Sequence, residues 1–261
     1  MYNLRVFSFP NSNSKEYRMY KIGVVEDRGP FGVERKKWHN ELDEKGNRVS
    51  FDDEGNYRSQ EDTDRCFYES RKRSKNMILE YARANNWEWF ITLTFNPDMV
   101  DSYNYDLCYK RVSKYFNNLR SRKCPNLKYL LVPEQHPTSG RWHFHGLISN
   151  VDEFSLGITK YKGCIYHIDG FKYGFTTATK VKDTKRVSSY ISKYITKEVA
   201  DLTVGRNRYI KSNNLDKADV VEYNISSDEL EALRVDLVSQ GAYFKEVERG
   251  VQKISYFNID E

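Results

Sequence analysis

Cysteine is scarce in this 261-residue chain, and its four copies, Cys66, Cys108, Cys124 and Cys164, show no CxxC spacing. Neither a zinc ribbon nor a disulfide framework is signalled. Long apolar runs are missing too: none approaches the roughly 20 residues that span a bilayer, so no membrane role is expected. The first residues, Met1 to Val6, lack the apolar stretch of a secretory signal. A reducing cytoplasm is the expected setting. No internal repeat is present. Neither sign of charge dominates, since 42 Lys and Arg against 37 Asp and Glu leave a net charge of +5. With so mild a balance, the distribution of charge is more informative than its total.

Aromatic residues are abundant by contrast. They make up 15% of the chain, with 20 Tyr and 14 Phe, while charged residues make up 30%. A wet surface rich in stacking groups suits single-stranded nucleic acid, although aromatics also fill cores. Histidine is nearly as rare as cysteine, at five, yet two histidines stand one residue apart in Arg141-Trp142-His143-Phe144-His145-Gly146. Successive side chains on a strand point to opposite faces. His143 and His145 therefore emerge together, with Trp142, Phe144 and Ile148 on the other side. Two imidazoles on one face of a strand form half of a metal site. Glu134 ends the preceding apolar run, 127–134. Residues 135–141 read as a hairpin turn that returns Glu134 beside the imidazoles. His136 competes for the same ligand role. Strand phase favours Glu134, unless Pro133 introduces a bulge.

The organisation along the chain is uneven. Short strand-like runs at 4–9 and 17–25 precede a polar stretch, 26–64, that reads as a long loop or arm. Residues 66–85 read as a helix, with Phe67, Ser74, Ile78, Tyr81 and Ala82 near one face and Asn85-Asn86 as a stop. Residues 87–95 form a strand with Trp89, Ile91, Leu93 and Phe95 on one face and Thr92 and Thr94 on the other, ended by Asn96-Pro97. A helix at 102–122 carries Tyr105, Cys108, Tyr109, Val112, Phe116 and Leu119 at core spacing. Strands follow at 127–134, 142–149, 164–168 and 171–181, then a helix from Thr184 to about Val199. The stretch 206–211 is basic and reads as a surface strand. The tail holds a helix at 228–239, opened by the capping pattern from Ser226 to Glu229, and a hairpin turning at Arg249-Gly250. This order indicates an α+β fold with a largely antiparallel sheet. The expected division is an N-terminal extension, partly loop, at 1–64; a core at 65–200; and a C-terminal helix and hairpin extension packed on the core at 201–261.

The 184–199 helix carries chemistry as well as packing. Val187, Ile191, Ile195 and Val199 recur every fourth residue and form an anchoring stripe. Tyr190, Lys193, Tyr194 and Lys197 share an adjacent face. A phenol is a usable nucleophile toward phosphorus when its proton is taken or a cation lies close. A nearby ammonium or metal favours phenolate and offsets charge developing on a phosphate.

In this order, these elements resemble the rolling-circle replication initiators (Rep proteins) of the HUH endonuclease superfamily. The run from Phe90 to Phe95 resembles their first motif, Trp142 to Gly146 the His-hydrophobe-His second, and Tyr190 to Lys197 the third. Glu134 stands where such proteins commonly place an upstream carboxylate ligand. Two tyrosines separated by three residues are similar to the branch of gene A initiators of small single-stranded DNA phages, and Tyr173-Gly174-Phe175 also recurs there. The resemblance covers about residues 66–200. Nothing matches G-x-x-x-x-G-K-[ST], so the fused helicase domain of some relatives is not expected.

The resemblance implies a ferredoxin-like or RRM-like antiparallel sheet with helices packed on it, in a metal-dependent, sequence-specific nickase that also rejoins single-stranded DNA. His143, His145 and Glu134 would hold Mn²⁺ or Mg²⁺, which such mixed ligands suit better than a closed zinc site. Tyr190 or Tyr194 would attack and leave a 5′-phosphotyrosine link, with Lys197, then Lys193, steadying the phosphate or phenolate. The implied partners are single-stranded DNA at a replication origin and a host helicase and polymerase, in the cytoplasm of a bacterial host. The alternatives are a relaxase- or transposase-type HUH enzyme, a non-catalytic single-strand binding module, and a cupin-like oxygenase. Paired tyrosines downstream of the HxH argue against the first. The second needs neither motif. Cupins place a glutamate a few residues after the pair, where this chain has only Asp152 and Glu153.

Overall fold

The computed structural model describes residues 1–11, 13–24, 39–42, 48–152, 156–194, 203, 206–249 and 252–260. In chain order the strands are β1 (Tyr2–Phe9), β2 (Ser14–Val24), β3 (His39–Leu42), β4 (Arg48–Phe51), β5 (Trp89–Phe95), β6 (Lys128–Gln135) and β7 (Trp142–Ser149). Then come β8 (Ile158–Lys162), β9 (Ile165–Ile168), β10 (Gly174–Lys180), β11 (Ile210–Lys211), β12 (Asp219–Tyr223), β13 (Tyr243–Arg249) and β14 (Gln252–Asp260). The helices are α1 (Gln60–Ala84), α2 (Tyr105–Arg122), α3 (Thr184–Ile191) and α4 (Ser227–Ser239), with a 3-10 turn, Ser192–Tyr194, directly after α3. The fold is α+β with antiparallel sheets, as its element order indicated. Among the described residues, no helix is long and apolar enough to cross a membrane.

The chain divides into two compact units, Phe67–Lys217 and the pair of flanks Met1–Cys66 and Ala218–Glu261. The larger unit is built on a seven-stranded sheet of order β11-β6-β7-β5-β10-β9-β8. Its four central strands, numbered along the chain, lie 2-3-1-4, so the first strand sits between the third and the fourth. Each face of the sheet has its own core. Trp89, Ile91, Leu93, Phe95, Trp142 and Phe144 pack against Cys108, Val112 and Phe116 of α2. On the other face, Leu130, Val132 and Leu147 pack against Ile78, Tyr81 and Ala82 of α1 and Ile191 of α3. The alternation read from sequence for β5 and β7 thus sorts their side chains as expected.

The smaller unit is a five-stranded sheet of order β12-β1-β2-β14-β13, in which β2 and β14 pair from Ser14↔Asp260 to Tyr20↔Ile254. The two flanks thus share one sheet. Helix α4 opens on the capping box that Ser226 and Glu229 signalled. Two findings differ from the loop reading of 26–64. β3 and β4 pair as a ribbon, and α1 begins at Gln60, six residues earlier than expected. Its start has a cap: the Asp62 amide donates to Ser59 Oγ at 3.0 Å, with Glu61 and Asp62 in the first turn. The turn at Arg249-Gly250 lies in part outside the described residues.

Gly146 shows how tightly the larger sheet is packed. A Cβ there would meet Leu131 Cδ2 at 2.2 Å, the Leu130 carbonyl at 3.2 Å and Ile91 Cγ1 at 3.3 Å. Leu131 is fully buried and has no free space to yield into. Gly146→Ala is therefore expected to cost the larger unit about 1–3 kcal/mol, read as a lowered midpoint in urea denaturation followed by tryptophan fluorescence.

Candidate active site

Unbroken pairing carries Glu134 to the imidazoles. β6 and β7 pair from Lys128↔Ser149 through Pro133↔Phe144 to Glu134↔His143, without a register shift. β7 pairs equally regularly with β5, setting Thr92 opposite His145 and Thr94 opposite His143. Thr92, Thr94, Glu134, His143 and His145 therefore emerge on one face, away from the α2 core.

The contacts follow from that register. Glu134 accepts a hydrogen bond from His145 Nε2 at 2.6 Å. A carboxylate only accepts, so Nε2 carries the proton, and in the neutral ring Nδ1 accepts from the Thr92 hydroxyl at 3.1 Å. His143 Nδ1 is bonded to the Thr94 hydroxyl at 3.0 Å. The bond from His145 outweighs burial and holds the Glu134 carboxyl below its ordinary range. Burial, helped by the neighbouring His145 and His136 rings, pushes His143 down. Both shifts favour the unprotonated forms that can ligate a cation.

The tyrosine helix is pinned above this row. Asp183 caps α3 by accepting from the Arg186 amide at 3.0 Å, and buried Ser188 donates to the Ala82 carbonyl at the end of α1 at 2.8 Å. Val187 and Ile191 pack into the α1-side core. The Tyr194 ring stacks on His145, with centroids 3.8 Å apart and an interplanar angle of 11°. Its hydroxyl donates to the Tyr190 hydroxyl at 2.8 Å. Burial, that bond, Tyr190 itself and the Glu134 charge together push the Tyr194 phenol far above the ordinary tyrosine range. Tyr190 is 45% exposed and stands edge-on to Phe90 at 5.5 Å. Phe90 in turn lies over His145 at 6.0 Å.

The structure thus brings Glu134, His143, His145, Tyr190 and Tyr194 together. Lys193 is exposed, its Nζ 5.8 Å from the Tyr190 ring centroid. Lys197, Ile195 and Val199 lie outside the described residues, and so does any continuation of the helix beyond Tyr194. His136 lies in the turn, where its Nδ1 accepts from the amides of Thr138 and Ser139 at 3.3 and 3.2 Å. Its ring is 5.6 Å from His143. The orienting threonines and Phe90 went unassigned in the sequence, although the alternation of Thr92 and Thr94 put them on the polar face.

By donor chemistry the set suits a divalent ion: two imidazoles with their Nδ1 sides tied to hydroxyls, and a carboxylate beside them. In this arrangement Glu134 instead bonds His145 directly. Among the described residues, no group of three His, Cys, Asp or Glu is gathered so as to hold a metal.

Residues 88–199 match a family model for replication-associated proteins of the ORF2 type. The matched stretch holds the threonines, Glu134, both histidines and both tyrosines, and it supports a replication initiator with a role on DNA. No curated protein and no solved structure matches the chain.

Replacing Thr92 by Val is expected to free the His145 ring at a cost of about 1 kcal/mol, the scale of one hydrogen bond. The check is the ¹⁵N shift of His145 Nδ1, which should move while that of His143 stays in place; Thr94→Val should give the reverse pattern.

Proposed function

We propose that this chain nicks and rejoins single-stranded DNA at a replication origin through a 5′-phosphotyrosine intermediate, so starting rolling-circle replication. One observation carries the reading: two hydrogen-bonded phenols stand on the same sheet face as the imidazole–carboxylate row, with one ring stacked on His145. The site places a nucleophile beside groups suited to managing charge on a phosphate.

Tyr190 is assigned as the first nucleophile. Its oxygen accepts the Tyr194 proton, and such a donor stabilises a phenolate on Tyr190. Tyr194, buried and itself the donor, is the harder phenol to ionise. In the first step the Tyr190 oxygen bonds to phosphorus in line, while the bond to the 3′-oxygen breaks and that oxygen leaves as a 3′-hydroxyl after taking a proton. The ester conserves the bond energy, so a 3′-hydroxyl can reverse the step without ATP. Tyr194 then serves a second cleavage while Tyr190 is occupied. Mn²⁺ or Mg²⁺ held by His143, His145 and Glu134 would polarise a non-bridging phosphate oxygen. Lys193 is close enough to Tyr190 to favour its phenolate, and Lys197 is assigned to the phosphate. A host helicase and polymerase would use the released 3′ end.

A non-catalytic single-strand binding module is the second reading. The direct bond between Glu134 and His145, in place of a shared ion, favours it. Incubation with Mn²⁺ and single-stranded fragments tiling the DNA that encodes the chain separates the two. The nickase yields an adduct that survives SDS, lost in EDTA and in the double variant Tyr190→Phe/Tyr194→Phe. Tyr190→Phe should suppress the first cleavage. Tyr194→Phe should slow it by no more than about tenfold, the rate equivalent of one hydrogen bond. An adduct that persists in the double variant sinks the assignment.

A further inference from the structure

We infer that Phe175, Tyr161 and His167 form a stacking platform for bases of single-stranded DNA beside the nicking site. The identity of the neighbouring phosphate rests on the function proposed above; the platform rests on the sheet itself. Phe175 pairs with Thr94, Thr94 with His143, and His143 with Glu134. Four residues on consecutive strands thus form one row, with all their side chains on the same face. Phe175 is two strands from His143, about 10 Å at normal strand spacing. A strand with its phosphate at the imidazoles can lay a neighbouring base on that ring.

Two further rings extend the surface. Tyr166 packs beneath the sheet, edge-on to Trp89, so the next residue, His167, emerges above it. The His167 Nδ1 donates to the Thr176 carbonyl at 2.5 Å, which holds the ring in place. It stands 4.6 Å from Phe175 and 4.2 Å from Tyr161. Tyr161 is 58% exposed and Phe175 49%, although burying rings of this size is strongly favourable. The flanking charge selects the occupant. Lys160 and Lys162 adjoin Tyr161 in β8, and neither β8, β9 nor β10 contains an acidic residue. Rings between ammoniums suit a polyanion that also offers flat faces. An apolar protein surface would meet the same lysines at a desolvation cost.

The test measures anisotropy of fluorescein-labelled single-stranded oligonucleotides in EDTA, where no cleavage intervenes. Phe175→Leu and Tyr161→Leu should each weaken binding about 5- to 150-fold, the range for one lost base–aromatic stack. Phe175→Tyr should restore it, which a purely structural role for the Leu variant would not explain if both melt alike. Wild-type affinity in both Leu variants, equal weakness of Phe175→Tyr, or no binding by the unmodified chain overturns the platform. The two readings separate cleanly. A covalent adduct with unchanged binding by the Leu variants retains the nickase and removes the platform. No adduct with weakened binding does the opposite.

Discussion

The site depends on one constraint: β6, β7 and β5 must stay in register through Pro133. A one-residue slip of β6 would send Glu134 into the α2 core and bring Pro133 to the imidazoles. Proline in a paired strand normally threatens such a slip, because it cannot donate to the ladder. Here the threat is absent for a local reason. β11 pairs β6 only at Leu130 and Leu131, so β6 has become an edge strand by the time it reaches Pro133. The missing amide hydrogen faces the side that β11 has already left. The same early ending of β11 leaves Glu134 half-exposed at the sheet margin, where a carboxylate can remain charged.

Because register governs the site, its parts cooperate through the backbone more than through individual side-chain bonds. Thr92 and Thr94 hold the imidazoles by their Nδ1 sides only because β5 lies directly beside β7. The tyrosines reach the same face by a separate route, through the Ser188 bond to the end of α1 and the burial of Ile191. Two independent anchors, a strand ladder and a docked helix, meet at the stacked rings of His145 and Tyr194. Side chains held from both directions lose little further freedom when a ligand arrives, which is the condition for an oriented attack.

Legibility in the sequence followed the range of the interaction. The HxH strand, the β5 alternation, the α2 stripe and the Ser226 cap are local patterns, and each was readable. The convergence of Glu134 with the histidines was readable as well, because a short turn joins their strands. Pairing of β2 with β14 joins residues more than 200 positions apart and leaves no local trace. β12 and β8 were missed for a related reason: both are short and largely exposed, so they lack the apolar alternation that marks a half-buried strand. The early start of α1 did have a signal, Ser59 followed by Glu61 and Asp62, but it was hidden inside a stretch whose composition resembles a loop.

The two tyrosines share a helix but stand in different environments, and that difference has chemical consequences. Tyr194 gives its proton to Tyr190 and its ring to His145, so its phenol is both buried and committed as a donor. Tyr190 accepts that bond, faces solvent and has an ammonium beside its ring. Two equivalent phenols would compete for one phosphate. Two unequal ones have an order imposed by desolvation and by the direction of a single hydrogen bond. Once Tyr190 is esterified, its oxygen is a poorer acceptor, and the Tyr194 hydroxyl loses the partner that helped raise its pKa. The first modification thus relieves one restraint on the second phenol, so the order of use is built into the pair.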